Sequence, residues 1–235
     1  MSRLINEVDK ISGFLDKGTY NYVKPKQGIY NNHATLKFGR RGVWLTMTSK
    51  LHTQKNSLHG IAKDNISYYV EELAEQKGII TTNETLLNMP IYWLDVKKDV
   101  PVTNPPEMLS YMRELAYQST SKNEVISFVK DLGFEQSLLI KSSCKTVKDS
   151  LTIYAKTCEM YAHRKDDIEY YNNFSLGFFV KNSNLLRFER RLQDAKAIRK
   201  AMHWDKREPV RLIDVLESPY NIVGEKVKQV FKVGV

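Results

Sequence analysis

Ser150–Lys156 reads SLTIYAK and Leu185–Leu192 reads LLRFERRL; together with Ile91–Asp99, IYWLDVKKD, these stretches decide the fold. Each is short, alternates apolar and polar residues over part of its length, and is bounded by polar or turn-forming segments, which predicts a strand. Side chains alternate across a strand, so each stretch sorts into two faces. In the first, Leu151, Ile153 and Ala155 are apolar, against Thr152, Tyr154 and Lys156. In the second, Leu186, Phe188 and Leu192 oppose Arg187, Glu189 and Arg191. In the third, Tyr92, Leu94 and Val96 oppose Asp95, Lys97 and Asp99. Three strands therefore offer carboxylates, a phenol and cations from one side of an otherwise apolar sheet. Acids and bases on a solvated sheet face, joined in cross-strand ion pairs, would account for the same residue types.

Working outward, Val43–Thr48 (VWLTMT) alternates as a half-buried strand after a turn at Gly39-Arg40-Arg41-Gly42. Ile66–Lys77 carries Ile66, Tyr69, Val70 and Leu73 at helical spacing, with Asp64 or Asn65 as cap and Gly78 as stop. Pro105 or Pro106 opens a helix that turns Met108, Leu109, Met112, Leu115 and Ala116 inward. A short helix is expected over 123–132, and strands over 136–141 and 150–156. A polar helical stretch is expected over 159–169, and a basic helix ending near Trp204. The tail from Lys206 reads as a short helix and strand. Strands and helices in this order predict an α+β fold with a mainly antiparallel sheet. The expected division is an N-terminal extension over 1–40 that can join the sheet, a main domain over 41–205 and a tail over 206–235.

The 235 residues are enough for one sizeable core. A formal charge of +9 favours polyanionic partners, because cations that neutralise phosphates release condensed counterions. No apolar run reaches the length of a membrane span, and the N-terminal MSRLINEVDK lacks the apolar stretch of a signal peptide, so a cytoplasmic, non-membrane protein is expected. Cys144 and Cys158 are too few for a disulfide scaffold. His33, His52, His59, His163 and His203 form no HxH or HExxH zinc motif, and no phosphate-binding glycine loop or Ser-His-Asp set is present.

The residue types on the polar face suit phosphoryl chemistry. Carboxylates hold Mg²⁺ or Mn²⁺ through hard oxygen ligands, and such an ion neutralises charge developing at a phosphate. A tyrosine hydroxyl is a nucleophile at phosphorus once its proton has somewhere to go. Lys156, on the expected face of Tyr154, would favour the phenolate or bind phosphate. Arg190, Arg191, Lys196, Arg199 and Lys200 form a basic run after Glu189 that can track phosphates, with Trp204 or His203 available to stack on a base. Arg40 and Arg41 in the early turn offer a second clamp.

Four segments in this order, VWLTMTSKL, YWLDVKKDV, SLTIYAKTCE and LLRFERRL, resemble rolling-circle replication initiators, above all the filamentous-phage gene II endonuclease and its phage and plasmid relatives. The resemblance spans residues 40–195. It implies a replication-initiator (Rep nuclease-like) fold with helices on one face of the sheet. It also implies a metal-dependent tyrosine endonuclease that nicks and rejoins one DNA strand through a phosphotyrosyl link. By position, Tyr154 matches the nucleophile and Lys156 its companion, while Asp95 and Glu189 match metal ligands for Mg²⁺ or Mn²⁺. Asp99 matches an acid found in some members, and Arg187 would contact phosphate. Two positions depart from the pattern. Trp93 stands where relatives usually carry Arg, and Ala155 where the plasmid branch often carries an acid. The short segment after Leu192 implies that a larger C-terminal region of some relatives is missing. The implied partners are origin DNA, single-stranded or hairpin, and the host helicase and polymerase; a dimer is compatible. Two other readings use the same residues: a non-catalytic origin-binding or regulatory protein, and a single-stranded RNA-binding module.

Overall fold

The computed structural model describes residues 7–25, 33–51, 60–119, 123–130, 134–144, 146–156, 159, 184–205 and 207–232. Ten strands are defined: β1 Glu7–Asp16, β2 Asn21–Tyr22, β3 Ala34–Phe38, β4 Gly42–Thr48, β5 Ile79–Ile80, β6 Ile91–Pro101, β7 Asn123–Lys130, β8 Phe134–Ser142, β9 Asp149–Ala155 and β10 Leu185–Leu192. The helices are α1 Ile66–Lys77, α2 Asn83–Leu87, α3 Pro105–Ser119, α4 Ala195–Ala201, α5 Leu212–Leu216 and α6 Ile222–Phe231. Eight strands form one sheet in the order β3-β4-β1-β6-β10-β9-β8-β7, and β2 pairs with β5. The pairs β1/β4, β3/β4, β7/β8 and β8/β9 are antiparallel, as the α+β reading predicts.

Two compact units divide the chain by space rather than by sequence: Met1–Val96 with Leu192–Asn221, and Lys97–Arg191 with Ile222–Val235. In the first, register sets the two faces of the sheet. The rows Leu36–Leu45–Gly13 and Ala34–Met47–Ile11 lie on one side, and Lys37–Trp44–Phe14 and Thr35–Thr46–Ser12 on the other. The first side is core: Ile11, Ala34, Leu45 and Met47 are buried, as are Tyr69 and Leu73 of α1. Helix α1 stops where expected, at Gly78 with φ 68°, where a Cβ would also run into the Val23 carbonyl. Asn65 is the N-cap residue, but its Oδ1 accepts from the Ala62 amide at 2.8 Å, so it ties the preceding turn and not the helix end.

In the second unit, β10, β9, β8 and β7 continue from the latter half of β6, and α3 packs on β7, β8, β9 and α6. Helix α3 begins at Pro105, whose missing N–H costs nothing at a helix start.

Two expectations are corrected. The helix expected over 123–132 is strand β7, paired from Asn123↔Ser142 to Lys130↔Phe134. The apolar positions of NEVISFVKDL fit either period, and a β-rich neighbour a few residues on supplies an antiparallel partner, so pairing decides. Among the described residues the tail holds the helices α5 and α6 and, where a strand is expected, an isolated bridge, Pro90↔Arg211. The first 40 residues, in which no period is legible, hold the ten-residue β1. Its alternation breaks at Asp9 and Lys10, between buried Val8 and Ile11. The stretch 160–169 lies outside the described residues.

Candidate active site

Strand β9 alternates as read: Leu151, Ile153 and Ala155 are buried, while Thr152 and Tyr154 are half-buried. Strand β10 does not show this in its burial, because Leu186 to Arg190 are all buried. Its two faces are separated by partners instead.

One face of β9 and β10 presents Tyr154 and Glu189. The Tyr154 hydroxyl donates to Glu189 Oε2 at 3.1 Å. The Arg191 guanidinium donates to Glu189 Oε1 at 3.0 Å, so each carboxylate oxygen has its own donor. On the same face of β10, Arg187 donates twice to Asp99, both bonds 2.7 Å. Parity places Asp99 and Lys97 together on β6, and Lys97 is 1% exposed.

On the other face, Arg190 of β10 meets α6. Arg190 donates to both oxygens of Asp149 at 3.0 Å and to the Ile222 carbonyl at 2.7 Å. Lys226 of α6 adds a third donor to Asp149, 3.1 Å from Oδ2. These contacts join the start of β9, the end of β10 and α6.

Lys156 follows the last residue of β9. Its ammonium sits 5.8 Å from the centroid of the Tyr154 ring and donates to Glu159 Oε2 at 2.6 Å. A cation there acts on the ring, over which the charge of a phenolate is delocalised. Glu159 is a site residue that the strand reading misses; the i,i+3 spacing from Lys156 is the signal that finds it.

Asp95 belongs to the first unit and is 2% exposed. Trp93 Nε1 donates to its Oδ1 at 2.8 Å, so the neighbouring indole supplies a hydrogen-bond donor to the aspartate. The Lys10 ammonium lies 5.4 Å from the Trp93 ring centroid.

In the second unit, Lys97, Lys156, Arg187 and Glu189 are buried, whereas Thr152, Tyr154 and Arg191 are half-buried. Unpaired charges in such places would be costly; Lys156, Arg187 and Glu189 are paired with Glu159, Asp99 and Arg191. Arg187 and Arg190, expected at DNA phosphates, are buried, and their guanidinium groups pair with Asp99 and Asp149. Asp99, expected as a metal ligand, is correspondingly the partner of Arg187. Lys196 and Lys200 are exposed on α4, Arg199 is half-exposed, and Arg40 and Arg41 are exposed at the β3–β4 turn. The Trp204 indole N–H donates to the Glu208 carbonyl, and His203 packs on Tyr220 at 4.6 Å. His52, His59, His163 and Cys158 lie outside the described residues.

The donor set permits one mode of cation binding better than another. Among the described residues no three His, Cys, Asp or Glu side chains gather as a cation site. An all-protein cage therefore does not fit them. A single carboxylate sharing an ion with substrate phosphates does fit, since each Glu189 oxygen keeps a second lone pair. Among the described residues no helix is long and apolar enough to cross a membrane.

No family model and no curated protein matches the chain. Among solved structures, the chain is similar to the rolling circle replication initiator protein from Geobacillus stearothermophilus, with a TM-score of 0.38 and 13% identity. The match covers 84% of this chain and 78% of that one.

Proposed function

We propose that the protein is a site-specific DNA nicking and strand-transfer enzyme that initiates rolling-circle replication of a phage or plasmid. The observation that carries this is the hydrogen bond from the Tyr154 hydroxyl to Glu189. It gives the phenol a proton acceptor and points its oxygen from a strand held in register. The order of the four motifs supplies the substrate class.

In this reading Tyr154 Oη attacks the scissile phosphorus as its proton passes to Glu189. The bond from phosphorus to the 3′ oxygen breaks, and that oxygen leaves with the electron pair and takes up a proton from water. The products are a 5′-phosphotyrosyl link and a free 3′-hydroxyl; rejoining runs the same steps backwards. Lys156 biases the ring towards phenolate, and Arg191 holds Glu189 in place. A bound Mg²⁺ or Mn²⁺ would add charge neutralisation at the phosphate, with Glu189 as its protein ligand. Origin DNA is the substrate, and the host helicase and polymerase would use the 3′ end. The exposed Lys196 and Lys200, with Arg199, and the turn residues Arg40 and Arg41 would meet phosphates.

A second reading, a non-catalytic origin-binding protein, draws on the ion pairing of Asp99 and Glu189, which a purely structural face would also show. One assay separates the two. Purified protein is incubated with labelled single-stranded oligonucleotides from its own replicon, with Mn²⁺, Mg²⁺ or EDTA. The enzyme forms a covalent adduct that requires the ion and is absent in Tyr154→Phe. Binding without adduct under every condition favours the second reading.

A further inference from the structure

We propose that the Lys37–Trp44–Phe14 row on the first unit's sheet is a stacking platform for the unpaired bases of single-stranded DNA. The inference rests on reading the chain as a DNA-acting protein, but its residues are distinct from the tyrosine site.

Register puts Lys37 and Phe14 directly across from Trp44 on its two sides. Residues opposite each other in a sheet share a face, so the three side chains form one row. The Trp44 ring lies 5.1 Å from Phe14 and 5.1 Å from Tyr92, centroid to centroid. Despite those contacts Trp44 is 42% exposed. Two tilted rings pack against it, and indole surface is left open to a third. An ordered aromatic of this kind loses little entropy when a base stacks on it.

The neighbouring row is small and hydroxyl-bearing: Thr35, Thr46 and Ser12, with Ser12 and Thr46 hydrogen-bonded at 2.6 Å. It leaves space beside the indole and offers donors to a phosphate or base edge. Charge selects the occupant. Lys37 and Lys17 are exposed, Lys10 is half-exposed, and the β3–β4 turn at the end of the strand carries exposed Arg40 and Arg41. Asp16 is the exposed acid of β1. Protein interfaces are depleted of lysine at their cores, whereas an aromatic surface ringed by cations is the usual means of holding single strands. Bases in a duplex keep their faces stacked, so the platform discriminates against double-stranded DNA.

The test uses the full chain and fluorescein-labelled dT12, read by anisotropy. Trp44→Leu is expected to weaken binding by about tenfold or more, and Trp44→Phe by less, because stacking is lost in one and reduced in the other. Lys37→Ala is expected to flatten the dependence on salt. An oligonucleotide carrying 5-iododeoxyuridine is expected to crosslink to the peptide containing Trp44, a readout that needs no variant to fold. Binding by Trp44→Leu within twofold of the parent, equal losses for duplex and single strand, or crosslinks confined to other peptides would each overturn the proposal. Tighter binding of rU12 than of dT12 would overturn its commitment to DNA. Tyr154→Phe separates the two readings. Trp44-dependent binding with no adduct in the parent protein leaves the platform standing and removes the nickase. A Tyr154-dependent adduct with Trp44-independent binding does the reverse.

Discussion

Tyr154 and Glu189 lie 35 residues apart in sequence, yet the phenol donates to the carboxylate at 3.1 Å from the neighbouring strand. Glu189→Gln keeps the size of the side chain but removes its capacity to take a proton. The adduct should form about 10² to 10⁴ times more slowly, the range for loss of a general base. Unfolding midpoints should hardly move. Single-turnover adduct formation followed on gels measures this; an unchanged rate would show that Glu189 does not accept the proton.

Asp99 and Arg187 form a bidentate pair in which the arginine is buried. Asp99→Ala leaves a buried guanidinium without that partner, a change that costs about 3–5 kcal/mol. The double variant Asp99→Leu/Arg187→Met is expected to recover most of the loss, because it removes both charges. Urea denaturation gives both numbers. A cost for Asp99→Ala below 1 kcal/mol would mean that the pair behaves as an exposed one.

Cations on α4 and the cation in the Asp149 triad should separate by assay. Lys196→Ala and Lys200→Ala change exposed residues, so each should lower the slope of log affinity against log salt by about one, with stability intact. Arg190→Ala instead breaks contacts to Asp149 and the Ile222 carbonyl, and should lower the unfolding free energy by several kcal/mol. DNA titrations at a series of salt concentrations, paired with denaturation, check the contrast.

Glu72 on α1 supplies the pH prediction. Burial pushes its carboxyl above the ordinary value of 4.5, against the opposing hydrogen bond from Gln76, and Glu75 and Glu71 add repulsion. A raised value means that the folded state binds this proton more tightly than the unfolded chain does. Its favourable contribution is complete below the unfolded value and is lost as pH rises through the folded one. Glu72→Gln should therefore flatten the stability profile in that window, and its advantage over the parent should grow with pH and then level off. Thermal melts of both proteins from pH 4 to pH 8 test it; parallel profiles would contradict the assignment.

Much of this was legible in one dimension. The alternation in SLTIYAK identifies β9 and puts Tyr154 opposite its apolar face, and the parity of LLRFERRL separates Glu189 from Arg190. Pro105 and Gly78 mark helix ends through their own backbone limits. These are properties of a residue and its near neighbours, and they survive folding unchanged. Strand β1 was hidden because its period breaks at Asp9 and Lys10, and β7 because an apolar run with two acceptable periods is decided by its partner.

What only tertiary structure decided is who pairs with whom. Parity says that Arg187 and Glu189 share a face, but not that Arg187 is claimed by Asp99 and Glu189 by Tyr154 and Arg191. Parity puts Arg190 on the side of Leu186 and Phe188, but does not say that Asp149 and Lys226 meet it there. Nor does it say that Arg187 and Glu189 would be buried. Alternation along a strand follows from local backbone geometry. Register between strands, and the burial it produces, follow from contacts between segments distant in sequence, and those contacts exist only in the folded chain.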